Sequence, residues 1–211
     1  MITTKKFING KVNENCYIIS NPNSDCIIID PGCNSDQIIN YIESQQLNAY
    51  AILNTHGHFD HIGAVVDLKK YFNILCWIHV EEINLVKSAN LYMKIFNGDS
   101  RIQVPKIDMF FNKEKSQLKF GRICLQVIET PGHTKGSVCF IIDNYIFTGD
   151  TLFKGTVGRV DFPGGSKEQL NLSLQKIAIL PSSLIICPGH GENSTIKNEI
   201  NNNLKFLEAL R

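Results

Sequence analysis

The stretch His56-Gly57-His58-Phe59-Asp60-His61 decides how this chain is read. Three imidazoles and a carboxylate lie close together in it, a donor set suited to a borderline divalent transition metal. The chain has six histidines, so half of them are here. Residues 49–54, just ahead, are apolar and read as a buried strand that delivers the loop. Residues 62–71, just behind, carry helical spacing, with Asp60 or His61 at the helix mouth. A strand, a donor-rich loop and an amphipathic helix in succession describe an α/β unit whose loop carries the chemistry.

His56 and His58 are two apart, so an extended backbone at the strand exit projects both to one side. Asp60 and His61 are adjacent and cannot both point the same way in an extended chain. That geometry suits two ions better than one, the histidine pair feeding one and Asp60 with His61 its neighbour. Each ion needs further donors from other loops. Pro131-Gly132-His133, Thr148-Gly149-Asp150 and Pro188-Gly189-His190 all follow strand-like runs directly. The glycine before each donor lets the backbone turn sharply into a site. Taken alone, a histidine after Pro-Gly or a Gly-Asp pair is an ordinary turn. Beside the 56–61 string, His133, Asp150 and His190 become candidate ligands. His79 ends a strand ahead of an acidic helix start and keeps a structural reading. Asp30, in Ile29-Asp30-Pro31-Gly32, is read as holding a turn near the metal loop by hydrogen bonds.

The rest of the chain sets limits. Its 211 residues are enough for one ample core and few for two, so a single domain over 1–211 is expected. Lysine and arginine number 21 against 20 aspartates and glutamates, leaving no basic field for nucleic acid or an anionic membrane. No apolar run approaches the ~20 residues of a membrane span. The opening Met-Ile-Thr-Thr-Lys-Lys-Phe lacks the marks of a secretory signal, so a cytoplasmic location is expected. The seven cysteines include no Cys-x-x-Cys pair and are odd in number, which argues against a disulfide framework or zinc cluster. They read as small buried hydrophobes, with Cys16 and Cys33 nearest the surface.

Short strands dominate the first third, at 5–8, 16–20 and 25–30, separated by Asn, Gly and Pro turns. A helix over 36–45 follows, with Ser35 as its N-cap. After the 62–71 helix come a strand at 74–79 and a helix at 81–88. Residues 88–108 read as a loop or short-helix excursion, in which the region 92–96 suits a dimer contact or a substrate lid. Strands return at 117–120, 123–129, 138–143 and 145–148, the last two joined by a tight Asp143-Asn144 turn. A helix over 166–178, a strand at 184–187 and one or two helices within 195–210 complete the chain. The two halves share this grammar without sequence identity, a hint of a duplicated α/β unit. Strands in blocks with helices outside them favour two sheets packed face to face.

In this order the donor motifs resemble the metallo-β-lactamase superfamily, and in particular its short glyoxalase II-like (hydroxyacylglutathione hydrolase-like) branch. Ile29-Asp30-Pro31-Gly32, the 56–61 string, Thr130-Pro131-Gly132-His133-Thr134, Thr148-Gly149-Asp150-Thr151-Leu152-Phe153 and Cys187-Pro188-Gly189-His190-Gly191 carry the resemblance nearly end to end. It implies an αββα four-layer sandwich, an α/β fold of two mixed sheets flanked by helices, with the metals at one edge. By position, His56, His58 and His133 would hold one ion. Asp60, His61 and His190 would hold the second, with Asp150 bridging both. Two divalent ions are implied, with zinc expected and iron or manganese acceptable to the same donors.

The chemistry expected of such a pair is hydrolysis. Two divalent cations sharing a water lower its pKa from about 15.7 toward neutrality, supplying a bridging hydroxide as nucleophile at pH 7. Asp60 can orient that nucleophile while binding metal, which makes it the catalytic residue. A thioester suits the site, because a thiolate of pKa about 8.5 leaves without a dedicated general acid. The expected partner is a small-molecule thioester, the expected state a monomer or homodimer. Full-length glyoxalase II enzymes carry a C-terminal helical extension for glutathione and a basic-x-Tyr segment after the bridging Asp. Here the chain ends at Arg211, and the segment reads Gly158-Arg159-Val160-Asp161, with Asp161 in place of the tyrosine. Arg159, with Lys154, is the candidate contact for a substrate carboxylate, and Asp161 the residue holding Arg159 in place. Rival readings are a mononuclear iron persulfide dioxygenase, a true β-lactamase and a non-catalytic metal-binding protein. The first is disfavoured by Pro188-Gly189-His190-Gly191 and the second by Asp150 and the cytoplasmic start. Intact ligand positions disfavour the third.

Overall fold

Strands β1 (Thr3–Asn9), β2 (Glu14–Ser20) and β3 (Asp25–Ile29) form an antiparallel meander at the start of the chain. A computed structural model describes residues 1–97, 100–111 and 116–211. Helix α1 (Ser35–Ser44) crosses over to β4 (Asn48–Leu53), which lies parallel to β3. Helices α2 (Phe59–Ile62) and α3 (Val65–Phe72) lead to β5 (Leu75–His79), parallel to β4. A 3₁₀ turn over Val80–Glu82, then α4 (Ile83–Lys87) and α5 (Ala89–Asn97), precede β6 (Met109–Phe111), parallel to β5. The second sheet opens with β7 (Gln117–Phe120), β8 (Ile123–Glu129), β9 (Val138–Ile142) and β10 (Tyr145–Gly149), each antiparallel to the next. A small hairpin of β11 (Leu152–Phe153) and β12 (Thr156–Val157) and helix α6 (Lys167–Ala178) follow. They lead to β13 (Ile185–Pro188), parallel to β10, and the edge strand β14 (Ser194–Thr195). Helices α7 (Ile196–Asn202) and α8 (Leu204–Ala209) close the chain.

The sheets run β1-β2-β3-β4-β5-β6 and β14-β13-β10-β9-β8-β7, both mixed. Side-chain alternation explains how they stack. Ile18, Ile28, Ile52, Cys76 and Ile78 face the first helical layer, against Ile38, Ile42, Val65 and Leu68. Their neighbours Tyr17, Ile19, Ile27, Ile29, Ala51 and Leu53 face the other sheet, meeting Val127, Val138, Phe140 and Phe147. Cys139, Ile146 and Ile186 face outward to α6, α7 and α8, through Leu170, Leu174, Ile196 and Phe206. The chain therefore forms the αββα sandwich that the resemblance implied. Central strands buried on both faces read as continuous apolar runs, and each fully buried isoleucine contributes roughly 1.5–3 kcal/mol. Among the described residues, no helix is long and apolar enough to cross a membrane.

Several sequence expectations shift. The helix expected over 62–71 is split into α2 and α3, because the Ala64 N–H bonds to the Pro31 carbonyl at 3.0 Å. Gly63 makes this possible: a Cβ there would lie 2.1 Å from the Gly32 carbonyl oxygen. Gly63→Ala is accordingly expected to destabilise the protein by about 1–3 kcal/mol, the range for overpacking, read by chemical denaturation. An unchanged midpoint would show that the Gly32–Gly63 contact is slack. At α1, Ser35 is the first helical residue rather than the cap; Asn34 takes that place in a left-handed conformation, φ 59°, without a side-chain cap bond. Much of the 88–108 excursion is helix α5, and β6 lies beyond it, too short and aromatic to show alternation. Cys16 is fully buried, because it packs from β2 into the first helical layer, and Cys124 is exposed, because it alternates with buried Ile123 and Leu125 along β8; all seven cysteines are free.

Strand direction gathers the loops. β8 and β10 are both antiparallel to β9, and β13 is parallel to β10, so all three run the same way. Their carboxyl ends deliver His133, Asp150 and His190 to one edge of the second sheet. The carboxyl end of β4 brings residues 56–61 to the same place from the first sheet.

Candidate metal centre

Seven side chains from four loops converge at this edge. His56 Nε2 lies 3.0 Å from His58 Nδ1, which in turn lies 3.0 Å from His133 Nε2. Asp60 Oδ2 lies 3.3 Å from His190 Nε2 and 3.9 Å from His61 Nε2. Asp150 sits between the two sets. Its Oδ1 is 3.5 Å from His61 Nε2, while Oδ2 is 3.6 Å from His133 Nε2 and 3.7 Å from His190 Nε2. Ligand atoms of His56/His58/His133, of His56/His61/Asp150 and of Asp60/His61/His190 each fall within 4.8 Å of one another.

The outer nitrogens explain why the inner ones face inward. His133 Nδ1 is 2.8 Å from the Arg159 carbonyl and His190 Nδ1 is 3.1 Å from the Val12 carbonyl. Carbonyls only accept, so Nδ1 carries the proton in both rings and Nε2 keeps its lone pair for the site. His56 Nδ1 meets the Thr55 hydroxyl at 3.1 Å, and that hydroxyl donates to Asp30 Oδ2 at 2.7 Å. Asp30 also accepts the Thr55 N–H at 2.7 Å and stands 3.1 Å from His61 Nδ1. It thus holds the loop as its place in the sequence suggested, from a left-handed φ of 49°.

The donor set fits divalent cations. Buried His61 Nε2 and Asp150 Oδ1 have no hydrogen-bond partner among the described residues, which proteins rarely tolerate unless something else satisfies such atoms. Burial, joined by repulsion from neighbouring imidazoles, pushes His58 down to about 3 and His56 well below the usual range. Both are therefore neutral donors at pH 7. Burial opposes charge on Asp60, but His61 and His190 outweigh it and hold the carboxyl below its ordinary range. Glu14 stands 4.0 Å behind His61, its carboxyl raised well above the ordinary value by desolvation.

Other site features were missed by sequence reasoning. Asn15 Nδ2 donates to the Pro188 and Gly191 carbonyls, both at 2.9 Å, and the Tyr17 hydroxyl donates to the Pro188 carbonyl at 2.8 Å. These bonds clip the His190 loop of one sheet onto β2 of the other. Their signal was polar Glu14-Asn15 at the head of an apolar strand. Tyr92, on α5, stands over His58 with ring centroids 6.1 Å apart. His79 lies outside the cluster, bonded to Glu129 at 3.3 Å.

A cavity of about 260 Å³ opens onto the donors, walled by Val12, Phe59, Tyr92, Phe162 and Arg159. Arg159 reaches it but is held by Asp161 through two bonds of 2.7 and 2.6 Å, and its guanidinium carbon lies 3.8 Å from the Phe162 ring centroid. That bidentate pair holds the Asp161 carboxyl down to about 2. Lys154 is paired with Glu192 on the surface and is not brought to the cavity.

A model of the metallo-beta-lactamase superfamily matches residues 9–190. Hydroxyacylglutathione hydrolase GloC of Haemophilus influenzae is 37% identical over 204 residues, covering 93% of each chain. The BLEG-1 B3 metallo-beta-lactamase superposes with a TM-score of 0.92 at 32% identity, covering 97% of this chain and 99% of its own. TTHA1623, solved in a di-iron-bound form, superposes with a TM-score of 0.86 at 31% identity, covering 95% and 98%. Similar to these proteins along nearly its whole length, the chain belongs to the metallo-beta-lactamase superfamily.

Proposed function

We propose that this protein is a dinuclear metal-dependent thioester hydrolase, built as one domain over residues 1–211. The observation that carries the reading is Asp150 lying between two three-donor sets at the floor of a cavity. In this reading His56, His58 and His133 would hold one ion and Asp60, His61 and His190 the other, with Asp150 available to both. When bound, two divalent cations acidify a shared water and polarise the acyl carbonyl. Asp60, at the cavity and charged at neutral pH, orients the attacking water through its carboxylate. The walls position the acyl group and exclude bulk water around it. A thiolate leaves unprotonated, so the chain needs no separate acid facing the sulfur. GloC similarity supports a thioester; the di-iron form of TTHA1623 supports iron as an alternative to zinc.

The wall composition narrows the substrate. Apolar side chains dominate it, and the cation there is already paired. An acyl group without a carboxylate therefore fits better than an anionic one. Asp161→Asn frees Arg159, so the KM for a carboxylate-bearing acyl thioester is expected to fall by up to roughly fivefold, the scale of an exposed ion pair. The KM for a neutral acyl thioester should hold still. Parallel shifts in both would remove Arg159 from substrate recognition.

The deciding experiment measures metal content by mass spectrometry alongside three assays on the same protein. Two ions per chain, thiol release from S-acylglutathione or simpler thioesters, and no oxygen uptake are expected. One iron per chain with oxygen consumed on glutathione persulfide would overturn the reading in favour of a dioxygenase. Rapid cleavage of a chromogenic cephalosporin with inert thioesters would favour the lactamase chemistry named for BLEG-1.

A further inference from the structure

Glu81 and Glu82 follow one another at an acidic helix start, yet they have opposite fates. Glu81 is exposed and Glu82 is only 1% exposed. The buried carboxylate spans two loops: Oε2 accepts the Gly57 N–H at 2.7 Å and Oε1 accepts the Gly136 N–H at 2.6 Å. The Thr134 hydroxyl, 2.6 Å from that of Ser137, also favours the charged form of this carboxylate. Gly57 lies between His56 and His58, and both Thr134 and Gly136 lie just past His133. Backbone crowds the carboxylate closely, since a Cβ on Gly136 would stand 2.9 Å from Glu82 Oε1.

We propose that Glu82 is the positioning residue of the three-histidine ion site. By gripping Gly57 and Gly136 it sets the spacing of His56 and His58 against His133, and so the affinity of that set for a divalent cation. This rests on the ligand assignment proposed above. Asp30 stands behind His61 of the other set and, through the Thr55 hydroxyl, behind His56 of this one. Glu82 touches only loop segments that carry the three-histidine set, Gly57 and Gly136, which is what makes its effect selective. A merely structural staple would alter overall stability without distinguishing the ions.

Glu82→Gln provides the test, because it keeps the volume but places an NH₂ against one backbone N–H. The metal-free full chain is titrated with Zn²⁺ and Co²⁺ in competition with a chelator, with circular dichroism reporting folding. We expect one dissociation constant to rise roughly 10–100-fold, as losing the partner of a ligand does. The other should stay within about twofold, and the Co²⁺ absorption of the nitrogen-rich site should change. Thr134→Val should shift the same constant less, and Thr134→Ser should restore it. A folded Glu82→Gln chain with both affinities unchanged, or both weakened alike, overturns the proposal. If Glu82→Gln does not fold, Thr134→Val decides: an unshifted affinity overturns the proposal. If the wild-type chain binds a single ion that Glu82→Gln weakens, Glu82 keeps its role and the two-ion reading falls. A single ion left unweakened sinks both.

Discussion

Asp150→Ala is expected to empty both ion sites and to lower thioester hydrolysis by about 10³-fold, the scale of losing a group that organises developing charge. The reason is its position. One oxygen is 3.5 Å from His61 Nε2, and the other is 3.6 Å from His133 Nε2 and 3.7 Å from His190 Nε2. Its removal leaves both sets short of a donor and takes away the carboxylate that separates His61 from His133. Asp60→Ala makes a useful contrast, since Asp60 lies against His61 and His190 of one set and should cost one ion. Metal content and thiol release are measured together on both variants. An Asp150→Ala chain that retains two ions would end the bridging assignment.

The largest loss of stability is expected at Asp30. Asp30→Ala removes the acceptor for the buried Thr55 N–H and hydroxyl and the partner of His61 Nδ1. Breaking such a buried polar set costs about 3–5 kcal/mol. Residue 30 also has φ 49°, so alanine there adds left-handed strain that aspartate tolerates better. For a chain of this size, melting should fall by roughly 6–20 °C. Asp30→Asn keeps one acceptor and should fall by less. Thermal scans on metal-free protein read this directly, and equal melting of Asp30→Ala and wild type would show that Thr55 and His61 find other partners.

Much of the molecule was legible because local patterns agree with the global fold. Apolar runs buried on both faces announced the central strands, and the 56–61 string announced the donor loop. What escaped had no local signal. β6 is three residues of methionine and aromatic side chains, placed by pairing with β5 and by Phe111 packing between the sheets. The break between α2 and α3 depends on Gly63 meeting the distant Gly32 carbonyl. Lys154 looked available in the sequence, but Glu192, 38 positions on, takes its charge. Glu82 is indistinguishable from its neighbour Glu81 until the loops carrying Gly57 and Gly136 close around it.

The sequence by itself determined the donor inventory, the main strands and helices, and the αββα class. These follow from side-chain chemistry and the period-two and period-3.6 spacing of apolar residues, both local properties. Only the tertiary structure decided which donors share an ion, which carboxylates stand behind them and which cations reach the cavity. Those depend on parallel strand direction bringing loops dozens of residues apart to one edge, and on backbone amides that any residue can supply. The string His56–His61 thus identifies the chemistry, while Asp150, Asp30 and Glu82 acquire their roles through distances that no window of sequence contains.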